Sequence, residues 1–183
     1  MSIDAMAPDW GTANDWVPAI GYRSQVQSIP AWQANERIAV SSLPSLIAVS
    51  LTLPADFSFQ TLHLGIGDNP NATGSWRAAV YDGKRGYVAG AVTYDVQATP
   101  WGGWWQVSFP HSVPASPDGN SVWVALELSK LQNVELPVLK PTPAAVGLLD
   151  GMCYGSTAHT ELPAVINFVG WDKQPRIPVV ALS

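Results

Sequence analysis

Charge is scarce in this chain. Of its 183 residues, 9 are Lys or Arg and 14 are Asp or Glu, a charged fraction of 13%. Soluble globular domains carry roughly 25%, so part of this surface is expected to lie against partners. Basic clusters are missing too. Lys84-Arg85 is the one adjacent basic pair, and the formal net charge is -5. No nucleic-acid partner is expected, because phosphate-backbone binding needs grouped Lys and Arg. Cysteine occurs once, as Cys153, which excludes a disulfide framework and a thiolate metal cluster. No apolar run reaches the ~20 residues that span a bilayer, so no membrane partner is expected. The opening "MSIDAMAPDWGTANDW" lacks the basic start and apolar stretch of a signal peptide. Synthesis in a cytoplasm is the expectation.

A sustained helical stripe of apolar residues is also absent. Instead, 16 prolines and 15 glycines punctuate short apolar runs. That pattern predicts many short strands joined by turns, hence an all-β sandwich or barrel, and an antiparallel β-sandwich is the fold expected. In "LIAVSLTL", Ile47, Val49, Leu51 and Leu53 share one face, with Ala48, Ser50 and Thr52 on the other. "FSFQTLHLGI" changes phase near Gln60-Thr61, which predicts a β-bulge or a break. "WRAAVYD", "DGKRG" and "YVAGAVTYDV" predict a hairpin turning at Asp82–Gly86. In its second strand, Val88, Val92, Tyr94 and Val96 alternate against Ala89, Ala91, Thr93 and Asp95. "PAVINFVGW" and "RIPVVALS" predict two closing strands, and Pro178 favours an edge.

Tryptophan is abundant, with 9 residues. Trp10, Trp16 and Trp32 lie in residues 1–35, where prolines interrupt any alternation. That region predicts an extended N-terminal arm that docks on a partner or wraps its own domain. Residues 36–183 form the sandwich domain. "TPWGGWWQVSFP" holds Trp101, Trp104 and Trp105. Phase places Trp105 with Val107 and Phe109 in the core, and Trp104 with Gln106 and Ser108 outside. In "SVWVALELS", Val122, Val124, Leu126 and Leu128 point inward, and Trp123, Ala125 and Glu127 outward. Pairing of these two strands as neighbours places Trp104 opposite Trp123 or Ala125. Trp101, Trp104 and Trp123 are the candidates for binding a partner or a glycan, and Trp10, Trp16 and Trp32 for docking the arm.

Catalytic signals are poor. "GMCYG" has Gly-x-nucleophile-x-Gly spacing, but a nucleophile elbow needs a following helix and a later Asp-then-His order. His159 instead precedes Asp172. His63, His111 and His159 are dispersed without carboxylates at ligand spacing. His63 sits in a polar strand phase and is expected to be exposed or hydrogen-bonded. Asp68, Asn69 and Asn71 supply oxygens, yet Pro70 occupies a ligand position and no closing Glu follows. Asp95 and Glu127 are the natural acids inside strands, and both read as solvated face residues. No catalytic residue, no metal site and no cofactor is expected, and the chain reads as non-enzymatic.

The order of these features carries a resemblance. "LTLPADFSFQTLHLGI", "SWRAAVYDGKRGYVAGAV", "GGWWQVSFP", "SPDGNSVWVALEL" and "ELPAVINFVGWDKQPRIPVVALS" together resemble the jelly-roll modules of bacteriophage virion proteins, chiefly tail-fibre, minor tail and accessory structural proteins. The resemblance covers roughly Arg37 to Ser183 and transfers no functional residue. It implies a jelly-roll sandwich in a virion, assembled with other virion proteins and as a homo-oligomer. A minor tail or tail-fibre component is the first expectation. A capsid decoration protein is the alternative, and a carbohydrate-binding module for a host-surface glycan is the further one.

Overall fold

The computed structural model describes residues 26–28, 33–54, 57–96, 98, 103–114, 121–140 and 151–183. The calls on Trp10, Trp16, Trp32 and Trp101 lie outside the described residues. The chain is all-β. Its strands are β1 (Val26–Gln27), β2 (Glu36–Ala39), β3 (Leu46–Thr52), β4 (Ser58–Ile66), β5 (Ser75–Asp82), β6 (Tyr87–Asp95), β7 (Gly103–Pro114), β8 (Ser121–Glu127), β9 (Glu135–Leu139), β10 (Cys153–Ser156), β11 (Asp172–Lys173), β12 (Ile177–Pro178) and β13 (Val180–Leu182). A 3-10 turn, Val40–Ser42, follows β2.

Two antiparallel sheets make the sandwich. One has the order β1-β13-β4-β7, the other β11-β10-β3-β8-β5-β6. The alternation in the sequence explains the core between them. Ile47, Val49 and Leu51 of β3, Leu62 and Leu64 of β4, Trp105, Val107 and Phe109 of β7, and Val122, Val124 and Leu126 of β8 all pack into one buried cluster. A short sheet, β12-β9-β2, adjoins it. It is stitched to the four-stranded sheet through Val179, whose carbonyl accepts the Gly65 amide at 2.9 Å and whose amide donates to Pro137 at 3.3 Å. Pro178 lies in β12, an edge strand. Residues 26–28, counted with the arm by composition, belong to the sandwich, since Val26 pairs with Leu182. The Ser28 hydroxyl donates to the Pro178 carbonyl and accepts the Val180 amide.

The turn predicted at Asp82–Gly86 and the bulge near Gln60 form as expected. The β5–β6 hairpin is locked by Asp82, whose carboxylate accepts the Gly86 amide at 2.8 Å and whose own amide donates to the Gly86 carbonyl. The β4–β7 register shifts between Phe59 and Thr61. There the freed Gln60 and Thr61 amides both donate to the Ser183 carbonyl, at 2.8 and 2.9 Å. The bulge thus turns two stray donors onto the end of β13.

Four expectations are overturned. First, β7 and β8 are not neighbours: β7 pairs with β4, and β8 lies between β3 and β5. Trp104 therefore stands opposite Gly65, not Trp123 or Ala125. A chain that crosses to the other sheet between consecutive strands breaks the hairpin assumption. Second, the outer face of β8 is not wet. Ala125 and Glu127 are buried, because residues 157–171 fold back over this face. Third, "PAVINFVGW" is no strand. It is the irregular cover itself, held by one isolated bridge between Gly86 and Val165. Fourth, β6 does not keep one phase. Ala78 faces Val92 while Val80 faces Ala89, so a bulge puts Ala89 into the core and leaves Val88 exposed.

The loop before β5 depends on Gly74, at φ +103°. A Cβ there would overlap the Lys130 carbonyl. Gly170 also has positive φ, but nothing lies near its missing Cβ. Gly74→Ala is expected to cost at least about 2 kcal/mol in urea unfolding, combining backbone strain with a clash. Gly170→Ala should cost about 1 kcal/mol from strain alone. Equal losses at the two sites would show that the Lys130 contact does not matter.

Candidate functional site

The six-stranded sheet is built from rows of directly opposed residues. Ala48, Ala125 and Ala79 form one row across β3, β8 and β5, with Tyr154 of β10 next to Ala48. The methyl groups leave a flat floor. Residues 157–171 lay their rings on it. Phe168 meets Trp123 at 4.6 Å between ring centres and stacks on Tyr154 at 4.3 Å, and Trp171 meets Phe168 edge-on at 5.4 Å. The Arg85 guanidinium lies 4.7 Å over the Phe168 ring, a cation–π contact. Tyr81 anchors the cover by donating its hydroxyl to the Pro163 carbonyl at 2.6 Å. Burial pushes that hydroxyl up to about 12, so it remains a donor.

The candidate tryptophans are thus separated. Trp123 is half-buried inside this aromatic cluster on the six-stranded sheet. Trp104 is half-buried on the four-stranded sheet, edge-on to His63 at 6.3 Å. They form no joint surface. The cluster partners Tyr81, Tyr154, Phe168 and Trp171 were missed as a group. Their signal was the aromatic density of residues 154–171, which a strand reading of "PAVINFVGW" concealed.

Around the cluster's rim lie solvent-exposed apolar side chains. Tyr87 is 49% exposed, Val88 41%, Val165 58% and Val169 79%. Three of them meet at the β5–β6 turn: Tyr87 and Val88 follow it directly, and Val165 bridges to Gly86. Val169 is the next residue after Phe168, whose ring lies under Arg85. Singly exposed apolar residues are ordinary, whereas grouped ones mark contact surfaces.

The groups with potential for chemistry are held in structural roles. Cys153 lies in β10, paired with Val49, so "GMCYG" spans strand rather than an elbow. Its thiol is buried, which raises its pKa far above the ordinary value. Glu127, read as a solvated acid, is 3% exposed and pairs with Arg77 at 3.2 Å, directly across the β5–β8 ladder. Asn69 is spent inside the fold. Its Oδ1 accepts the Glu135 amide at 2.7 Å and its Nδ2 donates to the Gly67 carbonyl at 2.9 Å. Among the described residues, no group of three His, Cys, Asp or Glu side chains is placed to hold a metal. Nor is any helix there long and apolar enough to cross a membrane.

His63 is hydrogen-bonded, as its strand phase implied. Its Nε2 and the Ser183 hydroxyl share a bond of 2.8 Å. The ring is 5% exposed and Nδ1 has no partner among the described residues. Burial lowers its pKa below the ordinary 6.5. Ser156 and His159 form a second such pair at 2.8 Å, and the same hydroxyl also accepts the His159 amide. Among the described residues, no carboxylate is bonded to either imidazole to orient it, as a hydrolytic triad requires.

Comparison with protein-family models, curated proteins and solved structures finds no match.

Two outcomes follow from these burials. Because burial disfavours the charged form of His63 in the folded protein, the unfolded chain takes up this proton first as pH falls below about 6.5. Thermal stability should therefore drop between about pH 7 and about pH 5, and less steeply in His63→Gln. Parallel pH profiles for the two proteins would exclude His63 as a source. Cys153 should resist a thiol reagent in the native protein and react fully once denatured. Rapid native labelling would contradict its buried placement.

Proposed function

We propose that this protein is a non-enzymatic structural component of a bacteriophage virion, a jelly-roll sandwich that docks into the particle by surface contact. The apolar flank around the β5–β6 turn is the observation that carries this reading. Tyr87, Val88 and Val165 present apolar surface at that turn, with the exposed Val169 close by in sequence, in a chain with 13% charged residues. Interface centres are rich in aromatic side chains and arginine, and Tyr87 and Arg85 both stand at this turn.

Other observations support the same reading. The chain passes between the two main sheets from β3 to β4, back to β5, and again from β6 to β7 to β8. Crossings of that kind suit a jelly roll. The strand-and-turn resemblance to virion modules points to the milieu and favours a tail position over capsid decoration. The buried Cys153 and the paired Glu127 leave little free chemistry. The partners are other virion proteins and further copies of this chain, with residues 1–25 as a second attachment.

The flank can be tested without touching the core. Val165→Glu with Val169→Glu should leave the melting temperature unchanged, because both side chains are exposed. The variant should lose incorporation into particles assembled in cells that lack the native protein. Normal incorporation would refute the flank as a docking surface. Deleting residues 1–25, which leaves β1 in place, tests the arm in the same assay, with reduced incorporation expected and normal incorporation counting against it.

A further inference from the structure

An open groove of about 630 Å³ lies beside the β8–β9 connection, away from the apolar flank. It is walled by the turn after β2, the loop at Asp68 and residues 131–135. Its volume falls within the roughly 300–1,000 Å³ typical of small-ligand sites. The buried Val40, Leu131 and Val134 supply an apolar floor. Around them stand the exposed Asp68, Asn133 and Glu135.

The walls are braced before any ligand arrives. Asn69 ties the Asp68 loop to Glu135 from beneath, through both backbone groups of that residue. The Asn133 amide donates to the Asn71 carbonyl at 3.2 Å. The Val40 amide donates to the Val134 carbonyl at 2.9 Å. A braced site loses less entropy on binding than a mobile one.

We propose that this groove binds a neutral saccharide unit. Sugar rings have C–H faces that suit an apolar floor and hydroxyls that both donate and accept. Carboxylates accept strongly from hydroxyls, and side-chain amides accept and donate. The lining contains Asp68 and Glu135 but no Lys or Arg, so anionic sugars are disfavoured. An ammonium ion would use the acceptors only and leave the amide donors of the rim unmatched. The site does not depend on the docking flank, since different segments build the two.

The experiment is an NMR titration of isotope-labelled full chain with methyl glycosides of glucose, galactose, mannose and N-acetylglucosamine at millimolar concentration. At least one should shift the amides of Val40, Asn133 and Glu135. Asp68→Ala with Glu135→Ala should weaken that binding about tenfold or more, through lost hydrogen bonds. Both side chains are exposed, so the fold is expected to persist, and the amide spectrum checks it. A second variant, Asp68→Asn with Glu135→Gln, keeps hydrogen-bonding atoms without charge and should retain most of the affinity. Three results would each overturn the proposal: no shift with any glycoside, shifts confined to the Trp104 or Trp123 surroundings, or groove shifts with N-acetyl-lysine amide in place of sugars. Loss of glycoside binding with intact particle incorporation would separate the groove from the docking role.

Discussion

The middle of the six-stranded sheet is dry on both sides. Ile47, Val49, Val80 and Val124 face the core between the sheets, while Leu46, Ala48, Ala79 and Ala125 face the other way, and all are fully buried. Two covers are therefore required. The four-stranded sheet provides one and the irregular residues 157–171 provide the other. Antiparallel sheets commonly leave one face to water, and strands β3, β5 and β8 do not. The row of alanines is what makes the second cover fit, since larger side chains there would lift the rings of Phe168 and Trp171 from the floor. The sheet, the aromatic cluster and the exposed flank at its rim are consequences of that one packing demand.

Much of the sandwich was legible in the sequence because alternation reports a half-buried strand directly. The inward faces of β3, β7 and β8, the Asp82–Gly86 hairpin and the bulge beside Gln60 all follow from local pattern and turn chemistry. The strand partners did not follow, because residue phase says which face a side chain takes but not which sheet its strand joins. Trp104 and Trp123 were misplaced together for that reason. The second cover was hidden for a related one. Small residues such as Ala125 read as tolerably exposed, and Glu127 read as wet, until Arg77 opposite it supplies a counter-charge. Bulges such as that in β6 shift phase without leaving a clear mark in composition.

The few charges are placed with economy. Glu127 and Arg77 occupy opposed positions on neighbouring strands, and Glu36 binds Arg176 with two hydrogen bonds of 2.8 and 3.2 Å. The latter pair is still partly open to solvent, so its energetic worth is small, though it holds the guanidinium near β2 and keeps the Glu36 carboxyl below its ordinary pKa. Charge serves mainly to fix register and connections here.

The run from Ile177 to Leu182 joins segments that are far apart in the chain. Its first residues pair with β9, and its last pair with β4 on one side and β1 on the other. On a ribosome, Val26 therefore waits for Leu182. At about 5–20 residues per second, that wait is roughly ten to thirty seconds. Throughout it, one edge of β4 has no partner from β13, and unpaired edges invite pairing with other chains. Closure of the four-stranded sheet is thus a late event in biosynthesis, and the nascent chain needs shelter until the run from Ile177 to Leu182 has been made.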